Sequence, residues 1–198
     1  FLTETGYESA NLGMQIFGGH GFIKEWGMEQ IVRDARISTL YEGTTGVQAL
    51  DLLGRKVLLG KLKTFDGFTK QIKRFIKTHT NTKEMKPMIK QLKRYLRQWK
   101  FSTIRIALMA KKDRDAIGGA SVDYLMFSGY VVMAFFWAKM ADAAYTRHKA
   151  EKGVTPFYLS KIQTAEFYFE RLLPKAESHK ILMLKGAKGL MNMDESQF

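Results

Sequence analysis

The sequence predicts an all-α fold. Three observations carry the prediction. Apolar residues recur at spacings of three and four along most of the chain, no stretch alternates apolar and polar residues as a half-buried strand would, and only 3 prolines interrupt 198 residues.

The elements follow in order. Residues 3–17 read as a helix with Ser9, Leu12, Gly13 and Ile16 on one side, stopped by Gly18-Gly19-His20-Gly21, where glycines permit a positive φ. Residues 28–40 read as a second helix, with Ile31, Ala35 and Leu40 inward and Arg33, Asp34 and Arg36 outward or toward a partner. Arg33 and Asp34 are expected to be structural, as an ion pair or an interface contact. Tyr41-Glu42-Gly43-Thr44-Thr45 breaks the pattern, and either threonine can cap the next helix, 45–59, which carries Val47, Leu50, Leu53, Val57 and Leu58. A boundary is expected at 60–67, where glycine and lysine replace the apolar pattern.

Four further helices are expected, at 66–79, 84–112, 120–151 and 156–185. Gly118-Gly119 with Ser121 precedes the third of these, Gly153 and Pro156 separate it from the fourth, and Pro174 should kink or end the fourth. The most apolar run, Tyr124 to Ala138, spans 15 residues. A membrane helix needs about 20, so a buried central helix is predicted and no transmembrane segment.

The charge is concentrated. Of the formal +13, all of it sits between Lys70 and Lys112, where 14 Lys and Arg face a single acid, Glu84. With lysines opposite an apolar stripe, this is either a solvated helix face or a surface for something anionic: a phosphate-bearing ligand, an acidic protein, a membrane or a nucleic acid. Nucleic acid fits least and is not expected as a partner, because the aromatics lie on the apolar stripe and no recognition motif accompanies the basic residues. There are no cysteines, which excludes disulfides and thiolate metal sites and fits a reducing compartment. The four histidines are scattered without metal-ligand spacing, so no metal is expected.

Chemistry enters through three motifs in register. Gln15-Ile16-Phe17-Gly18-Gly19-His20-Gly21, then Arg33-Asp34-Ala35-Arg36-Ile37, then Tyr41-Glu42-Gly43-Thr44 resemble the Q-x-x-G-G-x-G, R-D-A-x-I and Y-E-G-T runs that close the acyl-CoA dehydrogenases. The runs Glu25-Trp26-Gly27-Met28-Glu29-Gln30 and Gly46-Val47-Gln48-Ala49-Leu50-Asp51-Leu52, with the terminal Met193-Asp194-Glu195-Ser196-Gln197-Phe198, narrow the resemblance. They are similar to the large members with an appended helical C-terminal domain, the group that includes 3-methylmercaptopropionyl-CoA dehydrogenases. The resemblance is specific over residues 1–60 and looser over 61–198.

The resemblance implies the end of a dehydrogenase-type helical bundle (1–60) followed by a second helical-bundle domain (61–198). It implies FAD-dependent α,β-desaturation of an acyl-CoA thioester. Glu42 matches the catalytic base. An α-proton beside a thioester is only weakly acidic, so its base must be held close and in a dry pocket. The backbone N–H of the same residue, with a flavin ribityl hydroxyl, is implied to hold the thioester carbonyl. On its own, an acid here would equally serve the dipole of the following helix. Gln15, Gly18 and Gly19 match residues that reach the ADP half of FAD, usually that of a neighbouring subunit. Thr44 and Thr45 match positions near the flavin and its phosphates, and Gly43 lies at the substrate. Gly46 and Gly54 stand where many members have Gln and Arg; Arg55 is not assigned a CoA contact.

The expected partners are an acyl-CoA substrate, an electron-transfer flavoprotein as acceptor, and a second copy in a dimer or tetramer. The expected setting is a bacterial-type cytoplasm, with room for peripheral membrane attachment. Because Phe1 opens the chain, a piece of a longer or processed protein is expected, colourless and inactive alone. The rival class is a non-catalytic basic helical scaffold for an anionic partner, membrane or nucleic acid.

Overall fold

The computed structural model describes residues 1–150 and 156–197. Among the described residues every regular element is helical, so the all-α prediction holds. The expected break at Gly153 lies outside the described residues.

α1 (Leu2–Ile16) is followed by the short α2 (Gly19–Phe22) and a 3₁₀ turn at Lys24–Trp26. The GGHG run is therefore itself a helical turn rather than a plain stop. It is entered through Gly18 at φ 58, ψ −142, and it closes tightly: a Cβ on the buried Gly21 would lie 2.4 Å from the Met14 carbonyl oxygen. α3 (Met28–Ile37) begins after Gly27 in the left-handed region and packs antiparallel on α1. The register is set by Met28 against Gly13 and by the Arg36 guanidinium 5.4 Å from the Tyr7 ring centroid. No residue of α1 or α3 is buried. Ile31 and Leu40, expected inward, are half-exposed, as are Val47 and Leu50. The apolar stripes of these helices face outward because no element among the described residues covers them. Asp34 accepts from Gln30 Nε2 at 2.7 Å, so it pairs with its i−4 neighbour rather than with Arg33.

α4 (Thr45–Leu50) continues as π-helix through Asp51–Leu59. Its i→i−5 bonds persist to the end, with Gly60 N to Arg55 O at 3.2 Å and Leu62 N to Val57 O at 2.9 Å. Lys61 and Leu62 both take positive φ (49 and 62), which turns the chain sharply into α5 (Lys63–His79), three residues ahead of the expected start. α6 (Lys86–Ala110) carries Pro87 in its first turn.

α7 (Asp115–Ala150) is the centre of the molecule, packed by α4 with its π continuation, α6, α8 and α9. Ala120, Tyr124, Phe127, Val131, Ala134, Ala138 and Ala141 form one buried seam at spacings of three and four. An 18-residue stretch of α7 has mean hydropathy 1.3, long and apolar enough by composition to cross a membrane, and half of it is buried among the other helices. The helix runs straight through Gly118-Gly119, expected to precede it. Asp113 caps the entry by accepting from Asp115 N at 2.9 Å. Gly119 is a packing site instead: a Cβ there would lie 3.2 Å from both Ala187 Cα and the Gly186 carbonyl oxygen.

α8 (Pro156–Phe167) passes into a π turn at Tyr168–Leu172 and a 3₁₀ turn around Pro174, then α9 (Ala176–Leu182). The predicted kink at Pro174 is thus present, and the helical run ends three residues early. α10 (Lys188–Met191) and a last 3₁₀ turn, Glu195–Gln197, complete the described chain.

Leu53, Ile72, Leu92, Ile106, Phe127, Phe169 and Met183 are fully buried in one cluster. Two buried hydroxyls are satisfied across helices: Thr103 Oγ1 and Tyr124 OH lie 2.9 Å apart, and Tyr168 OH donates to the Tyr130 carbonyl at 2.9 Å. Two imidazoles staple other helices to α7, His179 Nδ1 2.8 Å from Asp123 and His79 Nδ1 3.3 Å from Asp142. The spacing of these acids along the chain carries no sign of their partners.

Candidate functional site

Glu42 sits in the turn between α3 and α4. The turn is held from behind, since Leu40 N and Tyr41 N both donate to the Ile37 carbonyl, at 3.0 and 3.3 Å. It is held from ahead by α4. Thr44, at φ −60, ψ 162, N-caps that helix by accepting from Val47 N at 3.5 Å, and its own backbone carbonyl accepts from Gln48 N at 3.0 Å. Gly43 bridges the two with φ 91, a conformation that favours glycine.

Three polar groups of Glu42 are therefore differently committed. Its carbonyl accepts from Gln48 Nε2 at 2.7 Å. Among the described residues its backbone N–H has no acceptor, and its exposed carboxylate has neither a hydrogen-bond nor an ion-pair partner. Residue 42 thus offers one acid–base group and one donor, both free, on a backbone anchored on either side.

The threonines divide the neighbouring work. The hydroxyl proton of Thr45 is given to the Glu4 carboxylate, which ties α4 to the first turn of α1. Thr44 uses its oxygen to accept, which leaves its hydroxyl proton free to donate to a ligand. Capping and ligand contact are compatible at Thr44.

Gln15, Gly18 and Gly19 lie at the other end of α1 from Glu4, and so from Thr45. The rise of a helix puts the two groups about 20 Å apart. The structure brings Glu42, Gly43, Thr44 and Thr45 together and keeps Gln15, Gly18 and Gly19 as a separate, exposed cluster. Nothing lies within 4 Å of a Cβ built on Gly18 or Gly19, so their backbone is open to close approach. Beside them, Trp26 makes edge contacts with Phe17 and His20, at centroid distances of 6.1 and 5.6 Å. The open diglycine backbone and the free Thr44 hydroxyl proton are donors that fit the phosphate- and hydroxyl-bearing cofactor the resemblance implies.

Arg55 is occupied elsewhere. It bonds Asp51, which also meets Lys56 at 3.1 Å, and the hydrogen bond from Arg55, with Lys56 beside it, holds the Asp51 carboxyl down at about 2. An apolar groove of about 620 Å³ opens between the π-helical segment, α5 and α7, where the Phe1 ring packs over Gly129 and Tyr130; none of the candidate residues lines it. Among the described residues no group of three His, Asp or Glu could hold a metal.

Two family models match the chain. A family model described as "Acyl-CoA dehydrogenase, C-terminal domain" matches residues 1–58, and one described as "Acetyl-CoA dehydrogenase C-terminal like" matches residues 68–194. The chain is 34% identical over 177 residues to the 3-methylmercaptopropionyl-CoA dehydrogenase of Ruegeria pomeroyi, covering 87% of this chain and 29% of that protein. It is 27% identical over 206 residues to the broad-specificity linear acyl-CoA dehydrogenase FadE5 of Mycobacterium tuberculosis, covering 99% and 33%. It is 26% identical over 184 residues to a butyryl-CoA dehydrogenase of Syntrophomonas wolfei, covering 88% and 29%. The chain spans about a third of the length of these relatives.

Proposed function

The chain belongs to the acyl-CoA dehydrogenase family, and from that premise we propose that it supplies the base-bearing C-terminal part of an FAD-dependent enzyme that desaturates an acyl-CoA thioester to its trans-2-enoyl form. The observation that carries this reading is the state of Glu42: carboxylate and backbone N–H both free, carbonyl and flanking turn both fixed.

Glu42 takes the α-proton on its carboxylate. Its backbone N–H donates to the thioester carbonyl and stabilises the negative charge that develops there. Gly43 keeps the turn narrow enough for the acyl group to approach. The chemistry that a bound FAD would supply is acceptance of the β-hydrogen as hydride. Thr44 donates its free hydroxyl proton toward the flavin side. Thr45 belongs to the same cradle, its hydroxyl spent on Glu4 and its backbone N–H at the start of α4. Gln15, Gly18 and Gly19 hold the ADP half of a cofactor. The resemblance places that ADP half on a neighbouring copy, and the separate position of these three residues from the Glu42 turn is compatible with such a homo-oligomer.

The same proposal divides the chain into a catalytic-bundle part, 1–60, and an appended helical domain, 61–198. The limits of the two family models support it. The outward apolar faces of α1 and α3 fit burial against further helices of a complete enzyme. The exposed cations of α6, Lys86, Lys90, Lys93 and Arg97, fit an acidic electron-transfer flavoprotein as acceptor. The absence of cysteine fits a reducing, cytoplasmic setting.

The test is Glu42→Gln in the full-length enzyme. Turnover should be abolished while flavin stays bound; turnover at the wild-type rate would place the base elsewhere.

A further inference from the structure

We infer that Gln48 is the positioning residue for Glu42. Its side-chain amide reaches back from the first turns of α4 and donates to the Glu42 carbonyl at 2.7 Å, across 6 positions of chain. Nothing in helix formation asks for this bond, since the backbone N–H of Gln48 is already used on Thr44.

The bond acts on the torsions that aim residue 42. The entering side is fixed by the bonds of Leu40 and Tyr41 to Ile37. The leaving side is the Glu42–Gly43 peptide, and a peptide followed by glycine is otherwise the freest in the turn. With its carbonyl held by Gln48, that peptide cannot swing. Residue 42 is then anchored on both sides, and its Cα–Cβ bond keeps a fixed direction relative to α4. Gly43 completes the lock. A Cβ on Gly43 would stand 3.0 Å from Gln48 Nε2, so a side chain at 43 would push the amide off its acceptor as well as strain φ 91. Gly43 thus leaves room for Gln48, and Gln48 in turn immobilises the peptide that Gly43 makes flexible.

The consequence is kinetic. A base held by one hydrogen bond loses alignment, not chemistry, when that bond is removed, and misplacement of about 1 Å costs on the order of 100-fold in rate. This rests on the reading of Glu42 as the base.

The experiment uses the full-length flavoprotein with Gln48→Met, which keeps length and loses the donor, and Gln48→Glu, which is isosteric and repels the carbonyl. Both should retain flavin and melting temperature. Both should lower kcat about 10- to 100-fold, with KM for the acyl-CoA changed far less, and both should raise the isotope effect on α-deuterated substrate, which a purely structural role would not move. Gly43→Ala should give a similar loss that is not additive with Gln48→Met. Wild-type kcat and isotope effect in both Gln48 variants, with Glu42→Gln inactive, would overturn this inference alone. Full turnover in Glu42→Gln would overturn the base reading and this inference with it.

Discussion

The hydroxyl of Thr45 donates to the carboxylate of Glu4, a tie across 41 positions that fastens the start of α4 to the first turn of α1. It is the only side-chain hydrogen bond among the described residues between the α1–α3 layer and α4, so it sets where the Glu42 turn sits relative to α1. Thr45→Val should cost about 1 kcal/mol of stability, the ordinary net worth of one such bond, while Thr45→Ser should cost little. Denaturant unfolding of the two variants measures the difference; equal stability would mean that the contact is not held in solution.

Gly118 and Gly119 should respond in opposite senses. A Cβ at 118 meets nothing within 4 Å, so Gly118→Ala should stabilise the chain by about 0.5–1 kcal/mol through helix propensity. A Cβ at 119 meets the backbone of Gly186 and Ala187 at 3.2 Å, so Gly119→Ala should destabilise by about 1–3 kcal/mol and loosen the C-terminal segment. Thermal unfolding of the pair is the check. The same melting temperature for both would remove the packing role assigned to Gly119.

That pair also shows what the sequence leaves unread. Helical spacing reveals the elements and most of the core, because burial along α6 and α7 follows the same period as the apolar pattern. A diglycine, however, reads as a break, and only the backbone of residues 186–187 arriving from the far end of the chain explains why it lies inside a helix. The outward turn of Ile31 and Leu40 has the same origin, since periodicity shows that a face is apolar and not what covers it. At the candidate site the residue types were legible through motif resemblance. The roles of Gln48 and Glu4 were not, because a side chain reaching a backbone carbonyl or a hydroxyl leaves no pattern in spacing. The π-helical course of Asp51–Leu59 likewise leaves none.

Alkaline stability should be governed by buried tyrosines. Burial pushes the Tyr124 hydroxyl up to about 12, against an opposing contribution from its bond with Thr103, and burial raises Tyr168 as well. In the unfolded chain tyrosine loses its proton near pH 10. Between about pH 10 and 12 the folded state therefore holds more protons than the unfolded state, and stability falls as pH rises through that window, by about 3 kcal/mol for Tyr124. Below pH 10 the contribution is fully present. Denaturation midpoints taken across the window should decline, and Tyr124→Phe, with no proton to lose, should decline less. An identical slope in that variant would contradict the assignment.

The cationic face of α6 should show itself in salt dependence. Lys90, Lys93 and Arg97 are exposed on that face. Changing all three to Glu in the full-length enzyme should weaken electron transfer to an acidic flavoprotein acceptor about 10-fold at low salt and leave the rate with a small neutral dye unchanged. Equal rates with the protein acceptor would assign the basic stretch to solvation alone.

The most direct measurement is a crystal structure of the full-length flavoprotein with an unreactive thioether analogue of an acyl-CoA. The account predicts a Glu42 carboxylate oxygen within about 3.5 Å of the α-carbon, with the Glu42 backbone N–H directed at the position of the thioester carbonyl. A Glu42 side chain turned into solvent, with another acid beside the α-carbon, would contradict it.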